Sequence, residues 1–309
     1  MQAVEVFAPA SVANLSCGFD VLGLCLEGVG DRMRFTQTEE KGIRIVHTSP
    51  SDLPTDPTKN VAGVAAQALL KDYPLSGGIC IEIDKGILPG SGIGSSAASA
   101  VGAVVGVNAL LEKPLAKEDL LPYALAGEAI ASQAKHADNI APALMGGMIL
   151  VRSVEPMDVL KLPCPKELFV VVLHPQIELK TAEARALLGE NVLLKNAIQQ
   201  WANVGALVHA LHTQDDELLA QSLQDVVAEP VRKKLIPGYD PIKASAMDNG
   251  ALGCGISGAG PSIFALVKGK EKGEQVAKAM ANNCTQLGIN HKVYLSAINA
   301  RGAEIINPK

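Results

Sequence analysis

The stretch Leu88-Pro-Gly-Ser-Gly-Ile-Gly-Ser-Ser-Ala-Ala98 decides how the rest of the chain is read. Before it, Gly78-Ile-Cys-Ile-Glu-Ile-Asp-Lys85 alternates apolar and polar residues, the pattern of a half-buried strand. After it, the Ala-rich run 97–111 is long enough for a helix and apolar nearly all round. The glycines therefore fall on a strand-to-helix loop. Gly90, Gly92 and Gly94 lack Cβ atoms, so the backbone can turn sharply and a ligand can approach it closely. Ser95 and Ser96 are expected to cap the helix, whose first amides and positive dipole end face outward. Such a terminus is an anion site, and phosphate is the natural anion. The plainer alternative is a tight turn between two core elements.

Two phosphate signatures fail here. A Walker loop needs Lys-Ser/Thr after its last glycine, and Gly94 is followed by Ser95-Ser96. A dinucleotide fingerprint needs a second strand ending in an acidic residue about twenty residues on. The chain instead continues with Lys113-Pro-Leu and a second helix-like run over 115–132.

At 309 residues the chain suits two domains, and with 48% apolar residues it can bury a large interior. Five Phe, four Tyr and one Trp leave few stacking platforms, and a net charge of −5 without a basic block argues against nucleic acid as a partner. Cysteines at 17, 25, 80, 164, 254 and 284 form no Cys-x-x-Cys pair, and Met1-Gln-Ala-Val-Glu-Val has no basic leader. Together these predict reduced thiols in a cytoplasmic protein. The longest apolar run, after Ser96, is short of a membrane span and carries Asn108.

The first strand is read at Val4–Ala8, ended by Pro9, and further strands at Asp31–Gln37 and Gly42–Val46. Asn14, Ser16 and Asp20 sit in a mixed segment whose buried polar groups need hydrogen bonds, within the loop or to a ligand. Asn60 begins an Ala-rich helix to Asp72, where a plain N-cap suffices. Glu128 lies near the end of its helix, opposing the dipole, so exposure or a bound cation must account for it. His136 and Asp138 have metal-like spacing, but no third His or Cys completes a zinc site. Leu144–Val151 is read as a strand containing Gly146-Gly147, Arg152–Lys166 as a hinge, and Leu168–Leu173 as a buried strand. A helix capped by Thr181 runs to Gly189, with Arg185 a surface charge on its own pattern.

The glycine stretch resembles the second motif of the GHMP kinases (galacto-, homoserine, mevalonate and phosphomevalonate kinases), Pro-x-x-x-Gly-Leu-Gly-Ser-Ser-Ala, with Ile93 for Leu and a proline one residue displaced. Other segments are similar to the homoserine kinases within that family: Pro9-Ala-Ser-Val-Ala-Asn14 through Gly18-Phe-Asp20, His136-Ala-Asp-Asn-Ile-Ala-Pro142, Thr181-Ala-Glu-Ala-Arg185 and Ala228-Glu-Pro-Val-Arg232. Gly255-Ile-Ser-Gly-Ala-Gly-Pro-Ser262 resembles the third family motif, with Ala259 and Ser262 as mild departures.

The resemblance implies an α+β, two-domain GHMP kinase fold. Residues 1–157 would form an ATP-binding domain like ribosomal protein S5 domain 2, and 158–309 a ferredoxin-like domain. The implied reaction moves the ATP γ-phosphoryl group to the hydroxyl of L-homoserine, giving O-phospho-L-homoserine on the route to threonine. Implied nucleotide contacts are Asn60, Lys85, Pro89, Gly90, Ser91, Gly92, Ile93, Gly94, Ser95, Ser96, Ala97 and Ala98, with Mg²⁺ on Ser96 and Glu128. Implied substrate contacts are Asn14, Asp20, His136, Asp138, Asn139, Thr181, Arg185, Arg232 and Gly258, the two arginines taking the carboxylate and Asp20 the amine. Asn14, Asp20, Glu128 and Asn139 carry the chemistry. Relatives with Asp at the position of Asn139 use it as a base; an amide cannot accept that proton, so here it must aim the hydroxyl. The family also suggests a homodimer. A GHMP kinase for another small hydroxylated substrate, or a non-catalytic nucleotide-binding protein of this fold, would share the glycine loop.

Overall fold

The structure is a computed structural model that describes residues 3–50, 52–132, 136–177, 179, 181–189 and 191–306, without the side chains of 132 and 181–183. In chain order the first half comprises β1 (Ala3–Ala13), β2 (Leu22–Thr38), β3 (Ile43–His47), α1 (Val61–Asp72), β4 (Gly78–Asp84), α2 (Ser95–Asn108), α3 (Leu121–Ser132), α4 (Ile140–Met145), β5 (Met148–Val154) and β6 (Met157–Leu162). The second half comprises β7 (Leu168–Pro175), α5 (Thr181–Ala186), α6 (Leu194–Thr213), α7 (Asp216–Ser222), α8 (Glu229–Arg232), α9 (Tyr239–Asp248), β8 (Gly253–Ile256), β9 (Ile263–Lys268), α10 (Lys270–Gln286), β10 (His291–Ala297) and β11 (Glu304–Ile306).

The first sheet runs β11-β1-β2-β4-β3, with β5 also on β2 and β6 on β5. The second runs β10-β7-β9-β8, every pair antiparallel. Its β-α-β-β-α-β succession is the ferredoxin-like arrangement. Sheet membership changes between Leu162 and Leu168, and β11 returns to the edge of β1. The first sheet thus extends past residue 157 and recovers the chain's last strand.

Three apolar cores arise from the patterning. Phe35 and Ile81 of the first sheet pack with Val101, Val104 and Leu69 of α2 and α1. Eleven consecutive buried residues, Ala97 to Val107, explain why α2 is apolar all round. A second core joins the halves: Leu22 and Leu24 of β2 meet Val170 and Val172 of β7, Phe264 of β9 and Leu207 of α6. Val171 and Leu173 face α9 and α10 in the third, so β7 is buried on both sides and reads as an unbroken apolar run.

Several elements differ from the sequence reading, each for a local reason. β1 continues through Pro9, because the register slips between Pro9 and Ser11 and a proline without an N–H is tolerated at a bulge. β2 runs from Leu22 to Thr38, joining the apolar run after Asp20 to the expected strand. The run 115–132 divides into a 3-10 turn at 118–120 and α3, with Pro122 in the first turn of α3, where its missing donor is harmless. Gly146 and Gly147, at φ 72° and 79°, stop α4 and precede β5 rather than lying inside a strand. The segment expected as a hinge contains the β5–β6 hairpin.

Candidate active site

The glycine loop leaves β4 and enters α2 as expected, with Gly90, Gly92 and Gly94 at φ 71°, 80° and 72°. A Cβ on Gly94 would lie 2.3 Å from Ser11 Oγ and 3.0 Å from Asn139 Oδ1, so this left-handed glycine lets three segments converge. Neither serine caps α2. Gly94 is the N-cap without a side-chain bond, Ser95 Oγ donates to Ile87 O at 3.0 Å, and Ser96 Oγ donates to Glu128 Oε1 at 3.0 Å. The helix terminus therefore keeps its orphan amides for another acceptor. Loop carbonyls turn back into protein: Ser262 Oγ donates to Ser91 O at 2.6 Å, Ser257 Oγ to Gly92 O at 2.7 Å, and the Ser11 amide to Ile93 O at 3.2 Å. A Cβ on Gly92 would meet Gly260 O at 2.5 Å, which shows how tightly the second half buttresses the loop.

Beneath the loop the Lys85 ammonium meets the fully buried Asp31 carboxylate and donates to Ser95 O at 3.0 Å and Ser99 Oγ at 3.1 Å. Asp31 Oδ1 accepts from the amides of Gly86 and Ile87 at 3.0 and 3.1 Å. Burial pushes the carboxyl up and the ammonium down, and their contact opposes both shifts. Lys85 lines the cleft with its ammonium already engaged, so its visible work is to fasten β4 to the start of α2.

A cavity of about 530 Å³ opens in front of the loop. Pro89, Gly90, Ser91, Gly92, Gly94, Ser95 and Ser96 line it, whereas Ile93, Ala97 and Ala98 are core residues supporting the loop from behind. Asn60 lines it too, while its side chain caps α1 by accepting from the amides of Ala62 and Gly63. An apolar wall of Leu53, Pro54, Val61, Ile83 and Ile130 forms that end. Sequence reasoning missed this wall, whose residues come from separate elements and make no motif. Burial pushes the Glu128 carboxyl up to about 7, opposed by the Ser96 hydroxyl.

At the opposite end stand Asn14, Asp20, His136, Asp138, Asn139, Arg185, Arg232 and Gly258, all lining the same cavity. Thr181's side chain lies outside the described residues. Arg185 forms a two-pronged ion pair with Asp20, at 2.8 and 3.4 Å, and His136 Nδ1 lies 3.6 Å from Asp20 Oδ2. Arg232, 3% exposed, donates to Gly258 O at 3.0 Å and Ala184 O at 3.4 Å. Asn14 Nδ2 donates to the same Gly258 O at 2.9 Å while Asn14 Oδ1 accepts from the Asp20 amide at 3.0 Å. The short α8 that ends in Arg232 is held by Asp225, whose carboxylate accepts from the amides of Val227, Ala228 and Glu229. Burial, then the neighbouring Asp20 charge, pushes the Asp138 carboxyl up to about 7. Asn139 Oδ1 accepts from Ser11 Oγ at 2.8 Å. Burial lowers His136, against the pull of Asp20.

A glycine loop at a helix start and a pocket bearing Asp20, Arg185 and Arg232 thus share one cleft between two α+β halves, an arrangement that suits a small-molecule kinase. The family models for "GHMP kinases N terminal domain" and "GHMP kinases C terminal" match residues 60–147 and 201–286. Homoserine kinase of Chloroherpeton thalassium is 41% identical over 99% of this chain and 100% of its own length, and that of Chlorobaculum tepidum 39% over 99% of each. The crystal structure of homoserine kinase from Cytophaga hutchinsonii superposes with a TM-score of 0.96 at 44% identity, covering 99% of this chain and 98% of the other. The crystal structure of L. major mevalonate kinase in complex with R-mevalonate shares the fold at 19% identity, with a TM-score of 0.71 over 94% and 95% of the two chains. The chain belongs to the GHMP kinases, and its full-length relatives at about this identity are homoserine kinases.

Proposed function

We propose that the protein transfers the γ-phosphoryl group of ATP to the side-chain hydroxyl of L-homoserine, giving O-phospho-L-homoserine for threonine biosynthesis. The observation that carries this reading is the pair Arg185 and Arg232 beside Asp20, across one cleft from the glycine loop. Two guanidinium groups suit a carboxylate, and a carboxylate suits an ammonium, so the pocket matches a zwitterion. A mevalonate or a sugar offers no such pair of charges, which disfavours another GHMP substrate.

In this reading the amides from Gly90 to Ser96 and the α2 dipole hold the nucleotide phosphates. The apolar wall at Leu53, Val61 and Ile130 takes the base. Ser96 and Glu128 offer a hydroxyl and a carboxylate oxygen 3.0 Å apart beside the loop, hard donors that suit a cation sharing its shell with phosphates and water. They would hold Mg²⁺, which when bound neutralises charge spreading over the transferring group. Asn14 and Asn139 aim the substrate hydroxyl. Asp138, with its carboxyl near neutrality, accepts the hydroxyl proton, a role Asn139 cannot fill. Positioning and electrostatics supply most of the acceleration in such transfers.

Among the described residues no helix is long and apolar enough to cross a membrane, and a cytoplasmic enzyme is proposed. A homodimer is proposed as well, supported by the exposed apolar residues Leu194, Ile198 and Trp201 on one face of α6. Light scattering tests it. A coupled ADP-release assay across L-homoserine, mevalonate, galactose and threonine tests the activity. Turnover confined to homoserine is expected. Preference for another alcohol, or Mg-ATP binding without turnover of any, would overturn the reading.

A further inference from the structure

Phe19 immediately precedes Asp20 of the proposed amino-acid pocket, yet it does not line the cavity itself. Its ring lies near both arginine guanidinium groups. The Arg232 Cζ is 5.0 Å and the Arg185 Cζ 5.7 Å from the ring centroid, both within cation–π range. Among the described residues Arg232 hydrogen-bonds only to the carbonyls of Gly258 and Ala184, and no carboxylate pairs with it. A buried cation needs compensation, and here the nearby Asp20 charge, carbonyl dipoles and an aromatic ring supply it. Arg185 is held by Asp20, and in the reading above the same Asp20 meets the substrate ammonium. Once it does so, the ring face is the contact that stays with Arg185.

The loop that presents Phe19 is built to be rigid. Asn14, Leu15, Ser16 and Asp20 all have positive φ, at 72°, 43°, 60° and 61°, a costly run for residues other than glycine. It persists because it is tied at several points. The Asn14 amide donates to Leu22 O at 2.7 Å, the Gly18 amide to Asn14 O at 2.8 Å, and the Leu22 amide to Gly18 O at 2.9 Å. Asn14 Oδ1 fixes the amide of Asp20, the residue after Phe19. A ring mounted on such a loop cannot follow the arginines; they must follow it.

We infer that Phe19 is a positioning residue that holds the Arg185 and Arg232 guanidinium groups for the substrate α-carboxylate, and so sets the preference for an amino acid over an uncharged alcohol. This rests on the carboxylate role proposed above for the two arginines. Like charges brought together repel, and one electron-rich ring near both offsets that repulsion without occupying an N–H group.

The test separates the ring's electrons from its shape. Fluorinated phenylalanines introduced at position 19 by amber suppression keep the volume and drain the face. KM for L-homoserine should climb with fluorination, reaching about tenfold for the pentafluoro ring and for Phe19→Leu. The kcat and the KM for ATP should stay within about twofold, and Phe19→Trp should restore KM. The kcat/KM for L-homoserine amide, which lacks the carboxylate charge, should hardly move. A KM for homoserine that ignores fluorination overturns the inference. So does an equal loss in KM for ATP and in amide turnover, which would mark a merely structural ring. If the wild-type enzyme turns over no homoserine, the functional reading fails first and this inference falls with it.

Discussion

Asp138→Asn separates what the cleft needs for chemistry from what it costs in stability. Asp138 is 4% exposed, and burial with the nearby Asp20 charge moves its carboxyl from 3.8 to about 7. Below about pH 4 the residue is protonated in both folded and unfolded chains, and nothing is lost. Between about 4 and about 7 the unfolded chain has released the proton while the folded one retains it, so stability falls as pH rises. Above about 7 the loss is complete, and at 1.36 kcal/mol per pH unit it amounts to at most about 4 kcal/mol. An amide has no charge to desolvate. The variant should therefore resist urea better than wild type at pH 8, by up to about 4 kcal/mol, and by only about 1 kcal/mol at pH 4.5. Its kcat should fall by about 10²–10⁴ if Asp138 takes the hydroxyl proton, and the wild-type rate should rise as pH passes about 7. Urea melts at the two pH values, paired with an ADP-release assay, measure both effects. Equal stabilities at pH 8, or a variant that keeps its kcat, would refute the reasoning.

Arg185→Ala should raise KM for homoserine by roughly ten- to hundredfold, since a charge-assisted bond worth about 1.5–3 kcal/mol is lost; an unchanged KM removes Arg185 from the pocket. Glu128→Gln should raise the Mg²⁺ concentration needed for half-maximal rate. In wild type that requirement should ease as pH rises through about 7, where the Glu128 carboxyl ionises, so a flat pH profile would exclude it as a ligand. Gly94→Ala should abolish ATP binding, because a side chain at φ 72° would also strike Ser11 Oγ at 2.3 Å; retained binding measured calorimetrically would show that the loop is soft.

The motifs made much of this site legible. Strand, glycine loop and apolar helix were readable from 78–111, because periodicity and glycine spacing are local properties. The convergence of Asn14, Asp20, Arg185 and Arg232 was readable only through a family resemblance, since no spacing rule joins residues 218 positions apart. Where side chains choose among partners, the sequence was mute. Ser95 and Ser96 look like caps, but once β4 and α3 are in place their hydroxyls donate to Ile87 O and Glu128 Oε1 instead of accepting from the helix amides. Asp31 gave no sign of meeting Lys85, because cross-strand geometry and a helix start bring them together. The same holds for Pro9, which reads as a strand end until the opposite strand supplies a bulge.

A crystal structure with L-homoserine and a non-hydrolysable ATP analogue tests the central claim most directly. The substrate carboxylate should lie about 2.9 Å from both the Arg185 and Arg232 guanidinium groups, with the triphosphate on the amides of Gly90 to Ser96 and the hydroxyl facing the γ-phosphate beside Asp138. A carboxylate seated away from both arginines, or a triphosphate that ignores the glycine loop, would contradict it.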